Sequence, residues 1–441
     1  MKPYSTTSMT FSRFIIYSLF VTWAGYLAGC RPGLNDTVLI PQQLTDGLNV
    51  AGAKLLYSQT RKACEGVYSV AEGSPIFGGE IAAKWSYLAK KPGDTTYYMS
   101  LFCEPQAAFF VLEGRQIGDS LVFEGFWRRL VNAETGTARF VVVEANGASA
   151  LLAPDCCTAL KKGQVIFKGV YGDGDGVRNQ LLTLTYDRPL NPKDFQILAH
   201  RGGGRTSDLL PASENSVEII RLAERLGATG VEIDIRQTQD GVPIIYHDNQ
   251  LNLRLTQKTG LIGAVENYTF DQLDAFVRLR NGEKIPRLTQ VLDAVLNETN
   301  LQTVWLDSKD VRDMDLIRTI QQTYQQRASQ QGRKLTIYIG LPAEERVAQF
   351  EALPDHAQLQ SICELDTSVA RRINAKVWAP RWTLGEQIPS TLAMQQQGRK
   401  VFIWTLDVPE FIQQFVQNDT FDGILSNYAP IVAYYHYVHQ Q

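Results

Sequence analysis

The sequence has no surplus of positive charge: 43 Lys and Arg stand against 46 Asp and Glu, a formal charge of −3, so nothing draws the chain electrostatically to nucleic acid. Low-complexity tracts are absent too. With 44% hydrophobic and 20% charged residues the chain can bury a substantial core, which excludes the disordered class. Long apolar runs are missing beyond the N-terminus. The run from Phe14 to Leu27, behind Lys2 and Arg13, is shorter than the roughly 20 residues of a membrane-spanning helix, which favours a signal peptide over a permanent span. Cysteine is scarce, at six residues. Cys64, Cys103, Cys156 and Cys157 lie in the N-terminal half, where export would permit one or two bridges of open pairing, and Cys363 is expected to be a buried free thiol. A chain of 441 residues exceeds the reach of one hydrophobic core, so two domains are expected.

Leu27-Ala28-Gly29-Cys30 resembles the bacterial lipobox. The resemblance implies a lipoprotein signal peptide over 1–29, diacylglycerol on the Cys30 sulfur, and an anchor and linker region over 30–62. The mature protein would then sit in the bacterial cell envelope, held to a membrane on the periplasmic face or the cell surface.

From 63 to 190 the pattern is all-β: short runs rich in Val, Phe, Tyr and Thr, such as Thr95 to Cys103, Ser120 to Trp127 and Gln180 to Tyr186, separated by turn signals. Seven to nine strands can close into a barrel or pack as a sandwich, and a lipocalin-like barrel is the preferred form. Asp173-Gly174-Asp175-Gly176 begins like a calcium loop, but Leu184 stands where the bidentate Glu would be needed, so a polar hairpin turn is expected. Phe109, Phe110, Phe123, Phe126 and Trp127 read as core, with a glycan- or lipid-binding groove as the alternative.

After a linker at Pro189 to Asp194, apolar strand segments alternate with amphipathic helical ones over 196–441, the size and rhythm of a TIM (β/α)8 barrel. Eight strands are expected at Phe195 to Ala199, Gly230 to Ile235, Val242 to Tyr246, Thr303 to Leu306, Leu335 to Leu341, Lys376 to Ala379, Val401 to Leu406 and Gly423 to Ser426, with Ser361 to Leu365 competing. A helix is expected over Asn215 to Leu226. Barrel chemistry gathers at the carboxyl ends of strands. There the first strand ends in His200-Arg201-Gly202-Gly203, the second carries Glu232 and Asp234 on one side, the third ends in His247-Asp248, and the fourth carries Asp307 and Lys309. Two or three carboxylates facing one another repel unless a cation lies among them, and oxygen-only ligands suit Ca2+ or Mg2+. The structural alternative pairs Glu232 and Asp234 with Arg236 or Arg254.

Six segments occur in a telling order: His200-Arg201-Gly202, Glu214-Asn215-Ser216, Glu232-Ile233-Asp234, Thr238-Gln239-Asp240-Gly241, His247-Asp248 and Asp307-Ser308-Lys309. This series resembles the glycerophosphodiester phosphodiesterase family, continuing more weakly through Val401-Phe402-Ile403-Trp404-Thr405 and Asp422-Gly423-Ile424. The resemblance implies His200 and His247 as catalytic acid and base, and Glu232, Asp234 and Asp307 as metal ligands. It further implies Arg201 and Lys309 on the phosphate, Trp404 against the glycerol carbons, and Glu214 and Asn215 in support. Asp307 stands where the family usually has Glu, and Trp404-Thr405-Leu406-Asp407 and Ser426-Asn427-Tyr428-Ala429-Pro430 depart from its C-terminal motifs. The implied reaction is metal-dependent hydrolysis of a small glycerophosphodiester to glycerol phosphate and an alcohol. The alternatives are a phospholipase acting on intact phospholipid and a surface-anchored binding lipoprotein with a degenerate barrel.

Overall fold

The computed structural model describes residues 48, 50–73, 75–91, 94–153 and 160–440; Phe14 to Leu27, Cys30, Cys156 and Cys157 lie outside them. Among the described residues no helix is long and apolar enough to cross a membrane.

A short strand β1 (Lys54–Leu55) precedes eight longer ones: β2 (Gly66–Glu72), β3 (Glu80–Lys91), β4 (Asp94–Cys103), β5 (Ala108–Ile117), β6 (Ser120–Arg129), β7 (Thr135–Val142), β8 (Ile166–Asp173) and β9 (Gln180–Arg188). Each of β2 to β8 pairs antiparallel with its successor, and β9 returns to β2, closing an up-and-down barrel, while β1 adds to β5. Closure leaves these strands no free pairing edge. The turn at Asp173 to Gly176 joins β8 to β9 as a hairpin, with the Gly176 N–H donating to the Asp173 carbonyl at 3.0 Å.

Period-two alternation divides the aromatic residues between two cores. Phe110, Phe123 and Trp127 fill the interior of this barrel together with Tyr68, Phe140 and Phe167. Phe109 and Phe126 point outward and join the core of the second barrel, as do Phe102 and Leu130. All five aromatics named above as a possible groove lining are buried side chains. Cys103 and Cys363 are buried free thiols, and burial pushes the Cys363 thiol up to about 12.

In the second barrel the strands are β10 (Gln196–Ala199), β11 (Gly230–Gln237), β12 (Pro243–Ile245), β13 (Gln250–Leu251), β14 (Gly263–Ala264), β15 (Thr303–Asp307), β16 (Thr336–Leu341), β17 (Ser361–Cys363), β18 (Val377–Trp378), β19 (Lys400–Ile403) and β20 (Gly423–Ser426). Eight of them, β10, β11 and β15 to β20, run parallel and close through β20 and β10. This is a TIM barrel. One expected strand needs correction: Pro243–Ile245 pairs antiparallel with β11, and Ser361–Cys363 takes the barrel position instead. The physical reason is the turn at Asp240-Gly241, where Gly241 has φ +80 and the Thr238 N–H donates to the Val242 carbonyl at 3.0 Å. It folds the chain back as a hairpin before any helix can form. His247 therefore reaches the mouth on a returning arm, and β15 is the third barrel strand.

The expected helix over Asn215 to Leu226 begins at Val217, because Ser216 caps it by accepting the Ile219 N–H at 3.0 Å, and runs to Ala223 before a 3-10 turn at Glu224–Leu226. Asn215 is thereby left outside the helix.

The segment Pro189 to Asp194 is tied to the C-terminal helix Ala429–Val438: Asn191 N–H donates to the Tyr437 carbonyl at 3.0 Å and its Nδ2 to the His436 carbonyl at 3.1 Å. His436 is buried against Phe195, ring centroids 4.9 Å apart, and desolvation, reinforced by Lys193, pulls its imidazole down to about 4. An unfolded histidine takes up its proton near 6.5, so between these values the unfolded chain binds more protons and acid favours unfolding. Stability supplied by neutral His436 should be fully present above about pH 6.5 and fall by about 3 kcal/mol towards pH 4. Thermal melts of wild type and His436→Gln across that range check this: the variant's curve should be flatter.

Candidate active site

Three carboxylates converge where β11 and β15 lie side by side. Glu232, Asp234 and Asp307 each offer an oxygen, and these oxygens lie within 4.8 Å of one another. All three residues are buried. Parallel register sets Asp234 directly beside Asp307, and period two brings Glu232 to the same side of β11. Glu232 Oε1 and Asp307 Oδ1 have no hydrogen-bond partner among the described residues. Oxygens bound to one ion at about 2.4 Å can be at most about 4.8 Å apart, so the cluster fits a hard divalent cation. Burial, then repulsion from Asp234 and Asp307, pushes the Glu232 carboxyl well above the usual range, and burial raises Asp307 to about 6. Asp234 moves the other way because Lys309 and both histidines outweigh its burial. Lys309 Nζ stands 2.9 Å from Asp234 Oδ1 and 2.9 Å from Asp307 Oδ2. Neither Arg236 nor Arg254 pairs with this trio: Arg236 holds Glu266 and Asp310, while Arg254 holds Asp248 and Glu214.

Both histidines face the trio with their tautomers set. His247 Nδ1 lies 2.7 Å from Asp248 Oδ1, and its Nε2 lies 2.8 Å from Arg201 Nη2. A guanidinium only donates, so Nε2 is the acceptor and the proton rests on Nδ1. His200 Nδ1 lies 2.8 Å from Asn427 Oδ1. The Asn427 amide is oriented by Asp407, whose carboxylate accepts from Asn427 Nδ2 at 2.6 Å and from its backbone N–H at 2.8 Å. Asn427 Oδ1 must therefore accept from His200 Nδ1–H, leaving Nε2 bare and 3.7 Å from Glu232 Oε2. Burial and the neighbouring Arg201 pull His200 down to about 4, and burial also lowers His247. Both rings are neutral acceptors at neutral pH.

Strained backbone supports the arrangement. Arg201 and Asn215 adopt φ +54 and φ +61, in the left-handed region, and the Asn215 N–H donates to the Arg201 carbonyl at 2.9 Å. Arg201 N–H reaches Glu232 Oε2 at 2.9 Å while its Nη1 donates to Glu214 Oε1 at 2.8 Å. Asn215 Nδ2 donates to Asp234 Oδ2 at 2.8 Å. Trp404 stands further along the mouth, its Nε1 donating to the Ala379 carbonyl at 2.6 Å and Arg381 stacked over its ring at 4.9 Å. It walls a cleft of about 350 Å3 with Trp378, Leu365, Leu384 and Glu364. All ten site residues marked in the barrel sequence thus lie at its carboxyl end; Cys30 falls outside the described residues.

Four further residues complete the site: Asp248, Asp407, Asn427 and Glu364. Asp248 stands in the sequence as the partner of His247 at a strand end and Asn427 as a departure from a motif, and each orients a histidine. Glu364 follows β17, the strand displaced in the expected order, and burial beside Asp307 pushes its carboxyl well up.

The model of the glycerophosphoryl diester phosphodiesterase family matches residues 200–429, just over half of the chain. Human glycerophosphodiester phosphodiesterase 1 is 41% identical over 129 residues, which are 27% of this chain and 36% of that protein. The chain thus spans about a third of the length of this relative. A Mycobacterium tuberculosis protein named Probable glycerophosphodiester phosphodiesterase 2 is 28% identical over 257 residues, 53% of this chain and 88% of its own length. A solved glycerophosphodiester phosphodiesterase from Agrobacterium tumefaciens matches at a TM-score of 0.44 with 17% identity, covering 54% of this chain and 99% of that one.

Proposed function

Because the chain belongs to the glycerophosphoryl diester phosphodiesterase family, we propose that it hydrolyses small glycerophosphodiesters to glycerol phosphate and an alcohol by two-histidine acid–base catalysis around a divalent cation. The observation that carries this reading is the meeting of two neutral imidazoles, each with an unprotonated Nε2, and three buried carboxylates at one barrel mouth. Such convergence also favours an enzyme over a binding lipoprotein with a degenerate barrel.

Glu232, Asp234 and Asp307 would hold Ca2+ or Mg2+, which would supply positive charge to the phosphate and lower the proton affinity of the attacking hydroxyl. His200 is suited to begin as base: it stays unprotonated down to about pH 4, with its lone pair facing the site. It takes the proton from the substrate's neighbouring hydroxyl as that oxygen attacks phosphorus. Once Arg201 turns to the phosphate, His247 Nε2 would take a proton from solvent, and the Asp248 carboxylate on Nδ1–H would stabilise the resulting imidazolium as the acid that protonates the leaving alcohol. In the second half the roles exchange, and water opens the cyclic phosphate. Arg201 lies on His247 Nε2 before substrate arrives, and a phosphate oxygen competes for that guanidinium, freeing the ring. Lys309 offers a compact charge to the same phosphate, and Trp404 presents an apolar face to the glycerol carbons.

The test is release of glycerol 3-phosphate from glycerophosphocholine and glycerophosphoethanolamine by the purified protein. Activity should vanish with EDTA and return on adding Ca2+ or Mg2+; turnover indifferent to chelation would overturn the metal assignment. A second reading, action on intact phospholipid, draws support from exposed Leu384, in the turn after β18, and exposed Phe411, in the helix Pro409–Gln417 after β19, with Trp382 and Phe411 rings 5.1 Å apart. Phospholipid vesicles in the same assay separate the two. The envelope location rests on the lipobox-like Leu27 to Cys30, and loss of membrane partition in Cys30→Ala is its test.

A further inference from the structure

Arg128 is the anomaly of the smaller barrel. It lies on β6 and points outward with Phe126 and Leu130, and it is 0% exposed. Its Nε and Nη1 have no hydrogen-bond partner among the described residues, and its Nη2 donates to the Asp208 carbonyl at 3.3 Å. Burial pulls the guanidinium down to about 10, the nearby Asp208 carboxylate partly offsetting this, so it remains charged at neutral pH. A buried, under-satisfied cation is a costly way to fill space, and an apolar side chain of similar volume would do so at less cost.

What the charge faces is the turn Thr206–Asp208 of the second barrel, from which two chains of contacts run to the two histidines. Asp208 is gripped by Arg205, through the Arg205 N–H at 2.7 Å and Nη2 at 3.0 Å. Arg205 also lies 4.0 Å from Asp407, the carboxylate that orients Asn427 and through it His200 Nδ1. On the other side the Thr206 N–H donates to Glu214 Oε2 at 2.6 Å, and Glu214 holds Arg201, which sits on His247. We propose that Arg128 is a positioning residue through which the β-barrel sets the Arg205–Asp208 turn and, by the two relays, the orientation of both catalytic imidazoles. The accessory barrel would thus be a working part of the site although none of its described residues bonds to the two histidines or the three carboxylates. The proposal rests on the two-histidine reading above.

The experiment is a double-mutant cycle with Arg128→Met and Arg205→Met in the full chain, assayed on glycerophosphocholine with saturating Ca2+ or Mg2+. Each single variant should lose about three- to thirtyfold in kcat with KM within about twofold, and the double variant should lose no more than the worse single one. Arg128→Met should melt at or above the wild-type temperature, and Arg128→Lys should recover part of kcat, which a merely structural role would not produce. Hydrogen exchange gives a readout independent of turnover: amides of Arg201 to Asn215 should exchange faster in Arg128→Met, with the interior strands of the β-barrel unchanged. Unchanged kcat, losses that multiply in the double variant, or unchanged exchange would overturn the proposal. If Arg128→Met folds poorly, Arg128→Lys paired with Arg205→Met carries the same cycle. Wild type without turnover on any glycerophosphodiester would instead sink the functional reading, and the exchange data would still decide the coupling.

Discussion

Replacing His200 with alanine should lower kcat by about 10²- to 10⁴-fold while leaving cation binding and fold intact. The ring's Nδ1–H is spent on Asn427 and its Nε2 is bare, so the substitution removes a proton acceptor and little else. The carboxylates keep their geometry because the Glu232 anchor is the Arg201 backbone N–H, not the imidazole. Steady-state kinetics on glycerophosphocholine, with calorimetric titration of Ca2+ or Mg2+ into the variant, checks both halves. Loss of activity together with loss of cation binding would show that His200 acts as a ligand or scaffold. Retained activity would remove it from the chemistry. A binding protein with a degenerate barrel would show no turnover to lose.

The second large effect concerns Glu232, and its sign differs with and without the cation. In the cation-free site Glu232 is buried beside Asp234 and Asp307, and its raised proton affinity means that the ionised form is disfavoured in the folded state. Glu232→Gln keeps an acceptor for the Arg201 N–H while removing one negative charge, so the chelated variant should melt at or above the chelated wild type. Adding cation should reverse the order. At a hundred times its dissociation constant a bound ion stabilises the wild type by about 2.7 kcal/mol, and the variant should lose most of that gain, with cation affinity down by at least about a hundredfold. Melting curves in EDTA and in graded Ca2+ or Mg2+ measure both. A variant less stable than wild type in EDTA would show that the carboxylates are held by partners other than a cation.

Much of the site was legible because its chemistry is carried by short polar motifs set at the ends of apolar runs. His200-Arg201-Gly202 after β10, Glu232 and Asp234 on β11 and Asp307 on β15 need only strand periodicity and barrel closure to be placed at one mouth. Asp307 reaches the cluster despite being one methylene shorter than the family's usual glutamate, since the parallel register sets it directly beside Asp234. Less legible were the partners that orient the histidines. Asn427 and Asp407 follow β20 and β19, some two hundred residues from His200, and nothing local in either segment says which way an amide must point. The strand order failed in one place for a related reason: Val242 to Tyr246 has the composition of a barrel strand, and only the tight Asp240-Gly241 turn shows that it folds back on β11.

The sequence by itself determined that a β-rich half precedes a (β/α)8 barrel and that His200, Arg201, Glu232, Asp234, His247, Asp307 and Lys309 stand at or near the ends of apolar runs, because side-chain periodicity and strand-end position are local properties of the chain. Glu214, Asn215 and Trp404, by contrast, are marked only by the family resemblance. Only the tertiary structure decided the tautomers of the two imidazoles, the electrostatic strain among the three carboxylates, and the burial of Arg128 against the turn that carries Asp208. Those depend on low-dielectric contacts between segments far apart in sequence, where a few tenths of an ångström and the absence of water set which proton is held and which charge is left unpaired.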